Sequence, residues 1–180
     1  MDDLAQAVAA LRVDRVVATQ QVPKLYGVTR SALVKAGALT RFERVRGSGR
    51  AAKPHTVEFV SFEPRLPTMQ PMQLVHCAGT AALRGVLGAP HEEWRAEAGA
   101  FGATYQPDAV WEREDGETAI EYDTGLYKAI TVRRKAGVFE AFAGGQLWGV
   151  PAASRVRFVE RETRAAGAQG VRVLHAPWFD

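Results

Sequence analysis

Asp108, Glu121 and Asp123 lie in one short stretch, YQPDAVWEREDGETAIEYDTG at 105–125. Its two apolar runs, PDAVW and AIEYD, each carry carboxylates, and the charged segment EREDGE joins them. Burying a carboxylate is costly unless it meets a metal ion or another cation. Either these acids stand at strand ends to do chemistry, or they are solvent-facing positions of an ordinary sheet. Asp108 and Glu121 are 13 positions apart, enough for a tight hairpin that returns the second strand beside the first.

The elements that position these acids read as strand (DAVWER), turn (EDGE) and strand (TAIEYD). Upstream, MQLVHCAGTAALRGVLG has the pattern of an amphipathic helix, and HEEWRAEAGAFG continues from it. Downstream, KAITVRRKAGVFEAFAGGQLW reads as a helix with Ile130, Val138, Phe139 and Phe142 at core spacing. The last segment, SRVRFVERETRAAGAQGVRVLHAPW, reads as strand, short helix, strand. This order predicts an α/β domain with a mixed sheet and helices on its faces.

The N-terminal third is organised differently. LAQAVAALRV has helical spacing at Leu4, Val8 and Leu11. Thr19 is placed to cap a short helix over QQVPKLYG, with Pro23 tolerable in its first turn and Gly27 at its end. A second helix follows through TRSALVKAG, capped by Thr29 or Ser31 and stopped by Gly37. Two short helices joined by a tight turn resemble a helix-turn-helix. LTRFERVRGSGRAAKPHTVEFVSF then reads as strand, basic glycine-rich loop and strand, with Phe42, Val45, Val57, Phe59 and Phe62 as apolar markers. That is the wing of a winged helix. Arg30, Ser31 and Lys35 would project from a recognition helix toward the major groove of double-stranded DNA. Arg44, Arg46, Arg50 and Lys53 would place phosphate-seeking charge on the wing. The alternatives are a protein-docking module and a plain solvated face. FEPRLPTMQP, with three prolines, reads as a connection, so the chain divides into a winged helix at 1–63, a linker at 64–71 and a second domain at 72–180.

Composition agrees with a basic binding module joined to something else. Residues 1–65 hold 11 Lys and Arg against 6 Asp and Glu, whereas 66–180 hold 12 against 14. A chain of 180 residues, 47% hydrophobic and 24% charged, suits a soluble globular protein with a real core. No apolar run reaches the roughly 18 residues that span a bilayer. MDDLAQAVAALR lacks a basic-then-apolar leader pattern. The single cysteine, Cys77, excludes an intramolecular disulfide framework. These features predict a cytoplasmic protein, away from membranes. Winged helices often pair to read two half-sites, which makes a homodimer an open expectation.

A proline-aspartate opening one strand and Glu-x-Asp closing the next resemble the core of the PD-(D/E)XK nucleases, a restriction-endonuclease-like fold. That resemblance implies Mg2+ or Mn2+ held by Asp108, Glu121 and Asp123, polarising a scissile phosphate and activating a water. The sequence departs from the pattern at position 123, where the superfamily carries lysine. Lys135, between the arginines of the following helix and its end, and Lys128 are the replacements on offer. The resemblance therefore implies Asp108, Glu121, Asp123 and Lys135 as the catalytic set. A wider likeness covers most of the chain. AGALTRF, the helix bearing His76, WRAE (94–97), QPDAVW, AIEYDTG, VRRKAGVF and VRFVERETR, in that order, are similar to the replication-relaxation family of plasmids and mobile elements. Membership would imply DNA binding in plasmid replication or mobilisation, either with strand cleavage or as a non-enzymatic replication or transcription regulator.

Other chemistry-bearing residues have plainer readings. Glu97 either joins the acid site or is a solvated helix position. His76 and Cys77 are adjacent, poor spacing for zinc, and His91 and His175 lack partners in sequence. His76 reads as a core or interface histidine. Ser154 and Cys77 have no base arrangement for nucleophilic catalysis. Trp94, Trp111, Trp148 and Trp178 read as packing residues, and Gly47 and Gly49 as wing residues rather than a nucleotide loop.

Overall fold

A computed structural model describes residues 2–46, 53–96 and 106–179. The fold is mixed α/β, with one three-stranded and one five-stranded sheet among the described residues. Helix α1 (Asp3–Asp14) is capped by the Asp2 carboxylate on the Leu4 amide. Strand β1 (Val16–Ala18) leads through a 3-10 turn into α2 (Val22–Tyr26), with Pro23 in its first turn. Gly27 closes α2 at φ 68°, a left-handed conformation that favours glycine. Helix α3 (Arg30–Lys35) begins where the Thr29 hydroxyl accepts from the Ala32 amide. Strands β2 (Leu39–Arg46) and β3 (Pro54–Ser61) form an antiparallel hairpin, and β1 pairs on the other side of β3.

Pro71 opens the long helix α4 (Pro71–Leu87), which Gly88 ends. The five-stranded sheet follows in the order β4-β5-β6-β7-β8: β4 (Trp94–Ala96), β5 (Ala109–Arg113), β6 (Gly116–Tyr122), β7 (Gln146–Val150) and β8 (Val171–His175). Its first two pairings are antiparallel and its last two parallel. Helices α5 (Ala129–Phe139) and α6 (Ala153–Ala165) make the crossovers that parallel strands require.

Alternation along β6 divides the second part into two layers. Ile120 and Tyr122 pack toward α4, while Ala119 joins Val132, Ala136, Phe139 and Trp148 beneath α5 and α6. Helix α4 approaches closely because Gly79 leaves room for the Tyr122 ring: a Cβ there would lie 2.2 Å from it. The α4 side is continuous with the N-terminal sheet, since Val16, Val45, Val57 and Phe59 belong to the same apolar cluster as Leu74, Leu83 and Leu147. Leu66 and Met69, inside the proline-rich connection, are buried in that cluster as well. The Arg41 guanidinium holds the connection by donating to the carbonyls of Leu66, Pro67 and Met69.

The hairpin, α3, α4 and the DAVWER–TAIEYD pair follow the sequence expectation, while the first short helix starts later than expected: Thr19 lies in the 3-10 turn and donates to Glu58 instead of capping α2. Four readings are corrected. SRVRF, expected as a strand ahead of a short helix, is instead the first part of α6, because Val156, Val159 and Thr163 repeat at helical spacing and turn toward the sheet. The end of the preceding segment, GQLWGV, supplies buried strand β7. The inward face of α5 is Val132, Lys135, Ala136 and Phe139, while Ile130 and Val138 face solvent. Phe42, expected as an apolar marker of the hairpin, is 68% exposed.

Candidate functional site

The acid cluster sits where β6 ends and its chain turns toward α5. Asp108 precedes β5, its amide donating to the Ile120 carbonyl and its Oδ2 accepting from the Tyr122 amide at 2.8 Å. Glu121 points to the α5 face and is fully buried. Lys135 reaches it from α5, with Nζ 2.8 Å from each carboxylate oxygen and 3.3 Å from the Gln106 carbonyl. The rings of Tyr127 and Phe139 flank that ammonium at 5.6 and 5.7 Å. The Tyr127 hydroxyl also donates to Glu121, at 2.6 Å.

Asp123 has a different environment. Its Oδ2 accepts from the Arg155 guanidinium at 2.8 Å, and its Oδ1 accepts from the Gly125 and Tyr127 amides. Arg155 also donates to the Tyr127 carbonyl. Asp123 thereby folds the 124–127 turn and ties it to α6. His76 enters from α4, its Nδ1 3.3 Å from Asp108 Oδ2 and its ring 5.9 Å from that of Tyr127.

Electrostatics follow from this enclosure. Burial, reinforced by the Asp108 charge, pushes the Glu121 carboxyl up to about 8, against the pull of Lys135 and Tyr127. Burial works against a charged His76, but the Asp108 carboxylate more than offsets it and raises the imidazole pKa. Burial and the neighbouring Glu121 raise the Tyr127 hydroxyl as well. Cys77, also enclosed, is pushed up to about 12 by burial and is a poor nucleophile.

Asp108, Glu121 and Lys135 are brought together, as their assignment to one site requires, while Asp123 adjoins them with its oxygens committed to Arg155 and two amides. Lys128 lies exposed before α5. Both Glu121 oxygens face protein donors, and among the described residues no three His, Cys, Asp or Glu side chains are grouped to hold a metal ion.

The N-terminal cations are arranged on the hairpin and α3. Phe42, Arg44 and Arg46 share one face of β2 by strand alternation, opposite Glu58, Thr56 and Pro54. Arg44, Arg46 and Lys53 are exposed and form no ion pair among the described residues. Ser31 and Lys35 are exposed on α3. Arg30 differs, because its guanidinium is held 2.5 Å from Glu58, which also accepts from Thr19. Arg50, with Gly47, Gly49 and Glu97, lies outside the described residues.

His76, Tyr127 and Arg155 belong to the acid cluster without having been singled out for it. His76 had an ambiguous signal on an apolar helix. Tyr127 carries a short-range one, four residues beyond Asp123. Arg155 had none while its segment read as a strand. The chain shows no match to any protein-family model, curated protein or solved structure. No helix among the described residues is long and apolar enough to cross a membrane.

Proposed function

We propose that this is a DNA-binding protein of the replication-relaxation type, in which a winged helix engages the duplex and a nuclease-like second part acts as a non-cleaving scaffold. The observation that carries DNA binding is the row of exposed Arg44 and Arg46 on one face of β2, without ion pairs among the described residues, with Lys53 across the hairpin and Ser31 and Lys35 on the neighbouring helix. Such a surface attracts phosphates and releases counterions. The order α1, β1, α2, α3 and then the β2–β3 hairpin, with β1 pairing on β3, supports the winged-helix reading. For the second part, support comes from a β-hairpin followed by two helical crossovers, with acids at its strand ends.

Self-compensation of Glu121 by Lys135 and Tyr127 favours the scaffold role over hydrolysis. A second reading, a Mg2+-dependent endonuclease, is favoured by the convergence of Asp108, Glu121 and Lys135 itself. Incubating supercoiled plasmid with the protein in Mg2+, Mn2+ or EDTA separates the two. The scaffold role predicts retarded but uncut plasmid in every condition. Metal-dependent nicking, lost in both Asp108→Asn and Glu121→Gln, would establish the endonuclease instead.

A further inference from the structure

The Asp123-held turn forms one wall of a second cavity, which the acid cluster does not use. This cleft, of about 220 Å3, lies between the hairpin, the start of α4, the 124–127 turn and the C-terminal segment. Met72 and Leu126 line it and are 40% and 63% exposed, so apolar surface is left open to water. The rings of Trp178 and Phe179, 5.6 Å apart, form its aromatic wall. Arg44 and Arg46 supply positive charge at its edge, and the N-terminal end of α4 adds a favourable dipole for an anion. Thr124, one of its lining residues, is only 7% exposed, and its hydroxyl is buried without a hydrogen-bond partner among the described residues. An orphaned buried hydroxyl costs roughly 1–3 kcal/mol, which a polar ligand would recover.

Taken together, these groups specify an occupant. It has a flat apolar body for the aromatic wall, a polar edge for Thr124 and a phosphate for the arginines. An acyl chain would leave the hydroxyl unpaired, and a second copy of this chain would bring Arg44 and Arg46 against another basic surface. From this we infer that the cleft binds a nucleobase carrying its phosphate, as an unpaired nucleotide of the DNA held by the hairpin. The inference rests on the DNA-binding reading and deepens it: the protein recognises DNA with an extrahelical or unpaired base. The cleft shares Arg44 and Arg46 with the duplex-facing surface, so one bound strand would pass directly from wing to cleft.

The test compares the full chain's affinity for a short labelled duplex and for the same duplex with one unpaired thymidine, by fluorescence anisotropy. The bulged duplex is expected to bind about tenfold tighter, within the range of one base stacked on an aromatic ring. Leu126→Asn, uncharged and at an exposed position, should abolish that preference while keeping duplex affinity. Thr124→Val, which removes the hydroxyl at constant shape, should reduce it. Equal affinity for the two duplexes, or a preference surviving in both variants, overturns the inference and leaves duplex binding standing. Failure to bind either duplex overturns the DNA-binding reading together with the inference. Titration with thymidine monophosphate separates the two sources of the same chemistry. Saturation lost in Leu126→Asn, combined with no preference for the bulge, would assign the cleft to a free nucleotide rather than to nucleic acid.

Discussion

The Lys135 ammonium lies 2.8 Å from both carboxylate oxygens of Glu121, in a setting where neither side chain has appreciable contact with water. Each compensates the other's desolvation, and the Tyr127 hydroxyl completes the arrangement. Above pH 8, where Glu121 carries its charge, Lys135→Met should therefore destabilise the fold by about 3–5 kcal/mol, the usual consequence of leaving a buried charge alone. Adding Glu121→Gln to Lys135→Met should restore much of the loss, because the pair is then replaced by neutral groups. Urea unfolding of the single and double variants reads this directly. Equal instability in both would show that the pair is not coupled.

Stability should also depend on pH through the same carboxyl. Glu121 is raised from its ordinary value to about 8, so its protonated form is favoured by folding. That contribution is fully present below the unfolded value near 4.5 and is lost as pH rises through about 8. His76, raised by Asp108, contributes with the same sign, losing stability as pH climbs through its folded value. Unfolding free energy should fall by roughly 2 kcal/mol between pH 6 and pH 9. Glu121→Gln should flatten most of that slope, and an unchanged profile in the variant would assign the dependence elsewhere.

A second buried pair joins the N-terminal helix to α4. Arg84 Nε and Nη2 donate to the two Asp14 oxygens at 2.7 and 2.6 Å, while the Tyr26 hydroxyl donates to Asp14 at 2.7 Å. Arg84 also reaches the Ala89 carbonyl beyond the end of its helix. Arg84→Ala is expected to cost about 3–5 kcal/mol by stranding Asp14. Because both parts share one apolar cluster, unfolding should remain a single transition by fluorescence and circular dichroism. Separate transitions would show that the two parts fold independently.

The extent to which the sequence disclosed this arrangement depended on the range of the signal. Thr29, Pro23 and Gly27 act on their own or adjacent turns, and the helix ends they mark are where expected. The hairpin carrying Asp108 and Glu121 was readable for the same reason, since a tight turn joins its strands. Lys135 was recognisable as a cation in reach, although the apolar residues of α5 suggested a different inward face. Its long stem lets it sit among Val132, Ala136 and Phe139 while its charge meets Glu121. Parallel strand β7 and helix α6 were obscured because buried strands and short helices both read as brief apolar runs. Partners such as Arg155 for Asp123, and Arg84 for Asp14, are set by tertiary packing and have no local signature.

DNA binding by the hairpin and α3 is the central claim, and its salt dependence is the most direct test. Duplex affinity should be measured by anisotropy over a series of salt concentrations for the native chain and for Arg44→Ala/Arg46→Ala. Binding that weakens steeply with salt, with a logarithmic slope reduced by about 2 in the double variant, is the expected result. No binding at low salt, or a slope the double variant leaves unchanged, would contradict it.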